Sequence, residues 1–159
     1  ADLSFYTAPN MEEMIKKNIR KIHYFSYFHK WNPQENYYYC VENTGFKPNL
    51  ERNEGTYSKY AQIDDATDAV LYYMMFIKYG FGRATSDAAH EIRDGHITRE
   101  EGVALVHKFD SEFPEESFKA FKDFVDITTD EFWEIVDMYR LDHIWKKENN
   151  KWQLRHQVK

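Results

Sequence analysis

Three carboxylates, Asp64, Asp65 and Asp68, crowd one short stretch of the chain. If a helix starts there, the i, i+4 spacing of Asp64 and Asp68 puts two of them on one face, where they could hold Mg²⁺ beside a phosphate. The same residues would serve as a helix start, with Asp64 capping and the others complementing the dipole. Further on, "KYGFGR" places Lys78 and Arg83 around two glycines just before another helix start. Backbone N–H groups and a guanidinium could converge there on an anion; the alternative is a tight turn between helices with solvated cations. Between 46 and 62, the residues Glu51, Arg52, Glu54, Tyr57, Ser58, Lys59 and Tyr60 offer both charges and several hydroxyls, a composition suited to a sugar or nucleotide and also common in surface loops.

The stretch "EIRDGHITREEG" imitates a calcium loop. Aligned on Gly95, however, it puts His90 and Ile92 where the first two oxygen ligands belong, so calcium binding is not expected. The seven histidines show no H-E-x-x-H spacing, and no G-x-S-x-G elbow or Walker loop occurs. The single cysteine, Cys40, rules out an internal disulfide and any multi-cysteine metal site. The rings of Tyr24, Phe25, Tyr27, Phe28 and Trp31 suit either core packing or stacking on sugar faces and bases.

These groups need elements to hold them, and the sequence points to helices. With six Gly, four Pro and no sustained period-2 alternation, a turn-rich β-sandwich is disfavoured. Asn32 and Pro33 predict a helix over 33–43 ending at Gly45. A buried helix is predicted from Asp64, through the apolar run 69–77, to Lys78. Another, over 85–94, should stop at Gly95 in the left-handed region. Thr98 with Glu101 forms a capping-box pattern, repeated thirty residues later by Thr128 and Glu131, where Ile127 can staple onto Phe132. A helix near Pro114 should turn Phe118, Phe121, Phe124 and Val125 to one side. A short one over 10–21 should bury Met11, Met14 and Ile15, with Lys16, Lys17, Arg20 and Lys21 outward. The expectation is a mainly α protein, a compact multi-helix bundle over 1–145 with one long polar loop at about 46–62 and a polar tail at 146–159.

The chain has 159 residues, a length that fits one domain, and 42% of them are apolar, enough for a core. A net charge of −6 argues against general nucleic-acid affinity. No apolar run is long enough to span a bilayer and no signal-peptide pattern opens the chain, so a cytoplasmic location is expected.

The phrases "KWNPQENYYYCVENTGF", "ERNEGTYSKYAQIDD", "KYGFGRATSDAAHEIRDGHITREEG" and "EFWEIVD" resemble the C-terminal part of the N-acetyl sugar amidotransferases. These are lipopolysaccharide and flagellar-glycan biosynthesis proteins of the pseudaminic acid protein A type and the WbpG type. The resemblance covers 22–145. It implies an enzyme of the PP-loop ATP pyrophosphatase superfamily that uses ATP and Mg²⁺ to turn a sugar N-acetyl group into an acetamidino group. The ammonia is expected from glutaminase and cyclase-like subunits. The family's S-G-G-x-D-S signature is absent from this sequence, as is its N-terminal cysteine cluster. These residues are therefore expected to be the C-terminal portion of a longer protein, partnered by a PP-loop half, and to bind no cofactor alone. On this resemblance Tyr57, Lys59, Lys78 and Arg83 are expected to contact an N-acetylated bacterial sugar, the three cations through its anionic groups. Asp64 or Asp65 would hold Mg²⁺ or a sugar hydroxyl. A homodimer is a further expectation. The competing reading is a non-catalytic binding or assembly module that uses the aromatic and basic run 21–31.

Overall fold

A computed structural model describes residues 7, 10–19 and 23–159 of the chain. It divides into two compact units, Ala1–Trp31 and Asn32–Lys159. The sequence-predicted boundary at 145 lies elsewhere, inside a β-hairpin.

In the first unit, α1 (Met11–Lys16) starts at Asn10, whose side chain accepts from the Glu13 backbone N–H. The expected inward face is not buried: Met11 and Ile15 are exposed. Arg20 and Lys21, placed outward by the sequence reading, lie outside the described residues, as does Ile22 in the aromatic and basic run. Within that run, Phe25 stacks on His29 at 4.6 Å, and Tyr24, Phe25, Tyr27, Phe28 and Trp31 are all exposed rather than packed in a core.

The second unit is mainly α. Its helices are α2 (Pro33–Asn43), α3 (Asp68–Tyr79), α4 (Arg83–Asp94), α5 (Arg99–Phe109), α6 (Glu115–Val125) and α7 (Thr129–Met138). Local rules explain most of these limits. Asn32 caps α2 through the Glu35 N–H, with Pro33 in the first turn. Gly80 and Gly95 close α3 and α4 at positive φ. Both Thr98 and Thr128 make complete capping boxes, and Ile127 packs on the cluster containing Phe132.

Helix α3 starts four residues later than expected. Asp64 does not cap it; instead Asp65 accepts from the backbone N–H and hydroxyl of Thr67, closing a turn ahead of the helix. Nor is α3 buried on most sides. Val70 and Ile77 face the core while Leu71 is exposed. The α6 expectation fails at the C-terminal end of the helix: Phe118 is buried, but Phe124 is 82% exposed and Val125 is exposed as well.

Val70, Phe76, Ile77, Phe118, Phe132, Val136 and Trp145 form the core, drawn from α3, α6, α7 and the hairpin. That hairpin pairs β1 (Trp145–Glu148) with β2 (Lys151–Leu154), antiparallel, around Asn149 and Asn150, both at positive φ. A two-residue turn of this kind suits the twist of a hairpin. The polar end expected as a tail is thus partly folded. Trp145 anchors it, stacking edge-on to Phe76 at 5.4 Å and donating its indole N–H to the Ile77 carbonyl.

The long loop between α2 and α3 is pinned to distant helices. Arg52 forms a two-point ion pair with Glu112, which also accepts from the Gly55 N–H at 2.7 Å. Glu54 accepts from the N–H groups of Glu116 and Ser117 at the start of α6, a favourable place for a carboxylate. Lys59 donates to the Leu50 carbonyl at 2.8 Å.

Candidate functional site

Helix α4 lines a polar cavity with one face. Arg83, Asp87, His90, Glu91 and Asp94, at i, i+4, i+7, i+8 and i+11, share that face. Opposite them stand Asn32, Pro33 and Gln34 from the start of α2, Tyr60 from the loop and Tyr72 from α3. The enclosed volume is about 260 Å³.

Arg83 is the most constrained charge there. Its Nε donates to Asp87 at 3.0 Å, its Nη1 donates to the Tyr72 hydroxyl at 2.5 Å, and its guanidinium lies over the Tyr72 ring at 4.7 Å from the centroid. Burial alone would make the guanidinium easier to deprotonate, but the Asp87 charge and Tyr72 outweigh it and raise the pKa further. Asp87 also accepts from the Thr56 hydroxyl at 2.6 Å, which ties α4 to the loop. Tyr60 donates to Gln34 at 3.0 Å and stacks on Tyr37 at 4.4 Å. Burial, then the charges of Asp87 and Glu91, push its hydroxyl up to about 12. On the other wall, His90 Nδ1 accepts from Arg93, which leaves the ring proton on Nε2.

The Tyr57 hydroxyl is buried; it makes no hydrogen bond of strict geometry, but the Glu91 carboxylate lies close enough to accept from it in a looser one. Burial, followed by the negative charges of Glu91 and Asp87, raises it well above the ordinary tyrosine value. It therefore stays protonated at every physiological pH.

The turn before α4 answers the question its glycines raised. An anion is held there, and it belongs to the protein: Asp110 accepts from the Gly82 N–H at 2.8 Å, the Thr85 N–H at 2.9 Å and the Thr85 hydroxyl at 2.5 Å. A Cβ on Gly82 would stand 3.0 Å from Asp110 Oδ1 and 3.1 Å from the Asp110 carbonyl oxygen, so glycine eases this close approach. This side chain was missed in the sequence because nothing local connects it to a turn 28 residues earlier.

The expected site residues do not all converge. Arg83 lines the cavity, and Tyr57 stands close enough to feel Glu91 and Asp87. Lys59 is spent on the loop. Lys78 lies on another face, over the rings of Tyr79 and Tyr139 at 5.2 and 5.6 Å, beside exposed Leu71 and half-buried Met74 and Met75. Asp64 and Asp65 are exposed, and no three metal-binding side chains cluster among the described residues. Asp68 is different. Burial first, then Asp65 and Asp64, raise its carboxyl above the usual range against the pull of Arg83.

The family model described as "LPS biosynthesis protein WbpG-like, C-terminal domain" matches residues 54–159. This chain belongs to that family. No curated protein matches it closely. The WbpG-like region supplies Tyr60, Tyr72 and all the α4 residues of the cavity, whereas Asn32, Pro33 and Gln34 precede the matched span. The protein is thus an LPS biosynthesis protein of the WbpG type with a mainly α architecture. No helix of the described residues is long and apolar enough to cross a membrane.

Proposed function

We propose that this WbpG-like domain forms the acceptor-sugar side of a cytoplasmic amidotransferase. The enzyme would exchange the carbonyl oxygen of a sugar N-acetyl group for nitrogen, giving an acetamidino group. The observation that carries the reading is the α4 cavity, in which one clamped guanidinium faces tyrosine rings and amide side chains. At about 260 Å³ it falls just below the roughly 300–1,000 Å³ of pockets for drug-sized ligands, so it suits one sugar ring rather than a whole nucleotide sugar. Arg83, already oriented by Asp87 and Tyr72, presents its remaining N–H edge to an acid group of the sugar. Asn32, Gln34 and Ser86 stand where hydroxyls would lie.

ATP does not fit here. The glycine-flanked start of α4 would be the natural phosphate seat, but its N–H groups already hold Asp110. On this reading ATP and Mg²⁺ would bind a PP-loop half of the enzyme, and ammonia would come from glutaminase and cyclase-like subunits.

The test is to supply the whole amidotransferase with ATP, Mg²⁺, ammonium and an N-acetylated sugar acid, and to follow the small mass decrease of exchanging C=O for C=NH. An Arg83–carboxylate contact worth about 1.5–3 kcal/mol predicts that Arg83→Ala raises the sugar KM roughly ten- to a hundredfold, with the KM for ATP unchanged. Equal kinetics for both substrates in the variant would remove Arg83 from the acceptor site.

A further inference from the structure

Helix α4 brings one cation, Arg83, and three carboxylates, Asp87, Glu91 and Asp94, into the same cavity, with Arg83 and Glu91 well apart along it. Glu91 lies eight residues beyond Arg83, which at about 1.5 Å per residue is roughly 12 Å further along the same face. Inclined towards each other, two such side chains can bracket a sugar ring. Their circumstances differ. The charge of Arg83 is already matched by Asp87. Glu91 makes no ion pair among the described residues, although it is half-buried and lines the cavity. Its charge raises the hydroxyls of both Tyr57 and Tyr60, and it lies within hydrogen-bonding reach of the Tyr57 hydroxyl, a neutral partner and not a cation. A carboxylate that lines the cavity with no cation beside it offers a place for a cationic group of a ligand.

The proposed chemistry supplies one. An acetamido group is neutral, whereas the acetamidino group that replaces it is protonated at neutral pH. It is planar, with N–H donors on one edge, and so matches a carboxylate at two points as a guanidinium does. We infer that Glu91 is the specificity-determining residue that receives the amidinium of the product, while Arg83 holds the acid group at the other end of the ring. This rests on the acceptor-site reading above. The site therefore discriminates by charge, and the amidino sugar binds more tightly than the acetamido sugar it came from.

Titration calorimetry of the protein with 2-acetamido-2-deoxyglucuronic acid and with its 2-acetamidino analogue tests the inference. The native protein should prefer the amidino compound by about ten- to a hundredfold, the range for a charge-assisted contact. Glu91→Gln is nearly isosteric and should cut that preference to within about threefold. Glu91→Asp keeps the charge on a shorter arm and should retain part of the preference, a check that stands even if the Gln variant folds poorly. Equal binding of both compounds by the native protein, or an undiminished preference in Glu91→Gln, would overturn the role of Glu91 and leave the acceptor site standing. Binding of neither compound would overturn the acceptor-site reading and this inference with it.

Discussion

Replacing Asp110 with Ala tests how the α4 face is set. The side chain is buried and accepts three hydrogen bonds at the start of α4, two from backbone N–H groups and one from the Thr85 hydroxyl. Hydrogen bonds to a charged group contribute about 1.5–3 kcal/mol each, but three that share one carboxylate do not add. Removing the acceptor also leaves the Gly82 N–H without a partner in a buried position. The expected loss is about 3–5 kcal/mol, since each buried donor left unpaired costs about 1–3 kcal/mol. With a urea slope of about 1–3 kcal/mol per molar, the midpoint should fall by roughly 2 M. Asp110→Asn keeps one acceptor oxygen and should lose about half as much. Urea titrations followed by far-ultraviolet circular dichroism measure both variants. A loss below about 1 kcal/mol in Asp110→Ala would refute the claim that this carboxylate organises the α4 start.

Further outcomes follow from other contacts. Phe132→Ala empties a core position only 2% exposed and should cost about 3–5 kcal/mol in the same assay. Trp145→Phe removes the indole bond to the Ile77 carbonyl and should cost about 1–3 kcal/mol, with loss of hydrogen-exchange protection along the hairpin. The Arg52 guanidinium, bonded to Glu112, holds that carboxyl below its usual range. Because the folded value is the lower one, the pair stabilises the protein above the unfolded carboxyl pKa of about 4.3, and the contribution disappears as pH falls through the folded value. Both side chains are about a third exposed, so Glu112→Gln should cost about 1 kcal/mol or less at pH 7. Stability curves of the two proteins should run parallel from pH 7 to 5 and meet below about pH 4.

What could be read from the sequence was mostly local. Asn32 with Pro33, Gly95, and the pairs Thr98–Glu101 and Thr128–Glu131 each act within four residues, so their helix ends follow from side chains beside them. The hairpin also had a local signal, the Asn149–Asn150 pair, but four-residue strands are too short to show an alternating pattern. The start of α3 was misplaced because Asp65 competes for the backbone ahead of the helix. The site depends on partners far away in the chain. Arg52 meets Glu112 across 60 residues, Thr56 meets Asp87 across 31, and Asp110 reaches back 28 to Gly82. Charge and position alone therefore grouped Lys59, Lys78 and Arg83, and folding separated them. Arg83 joined Glu91 and His90, which the calcium-loop comparison had touched without a role.

The most direct measurement is a ¹H–¹⁵N correlation spectrum of the labelled protein titrated with an N-acetylated sugar acid. Saturable shifts should cluster at 32–34, 60, 72 and 83–94, the walls of the α4 cavity, and should vanish in Arg83→Ala. Shifts confined to the Lys78 and Tyr139 face or to the rings of 24–31, with the cavity silent, would contradict the account.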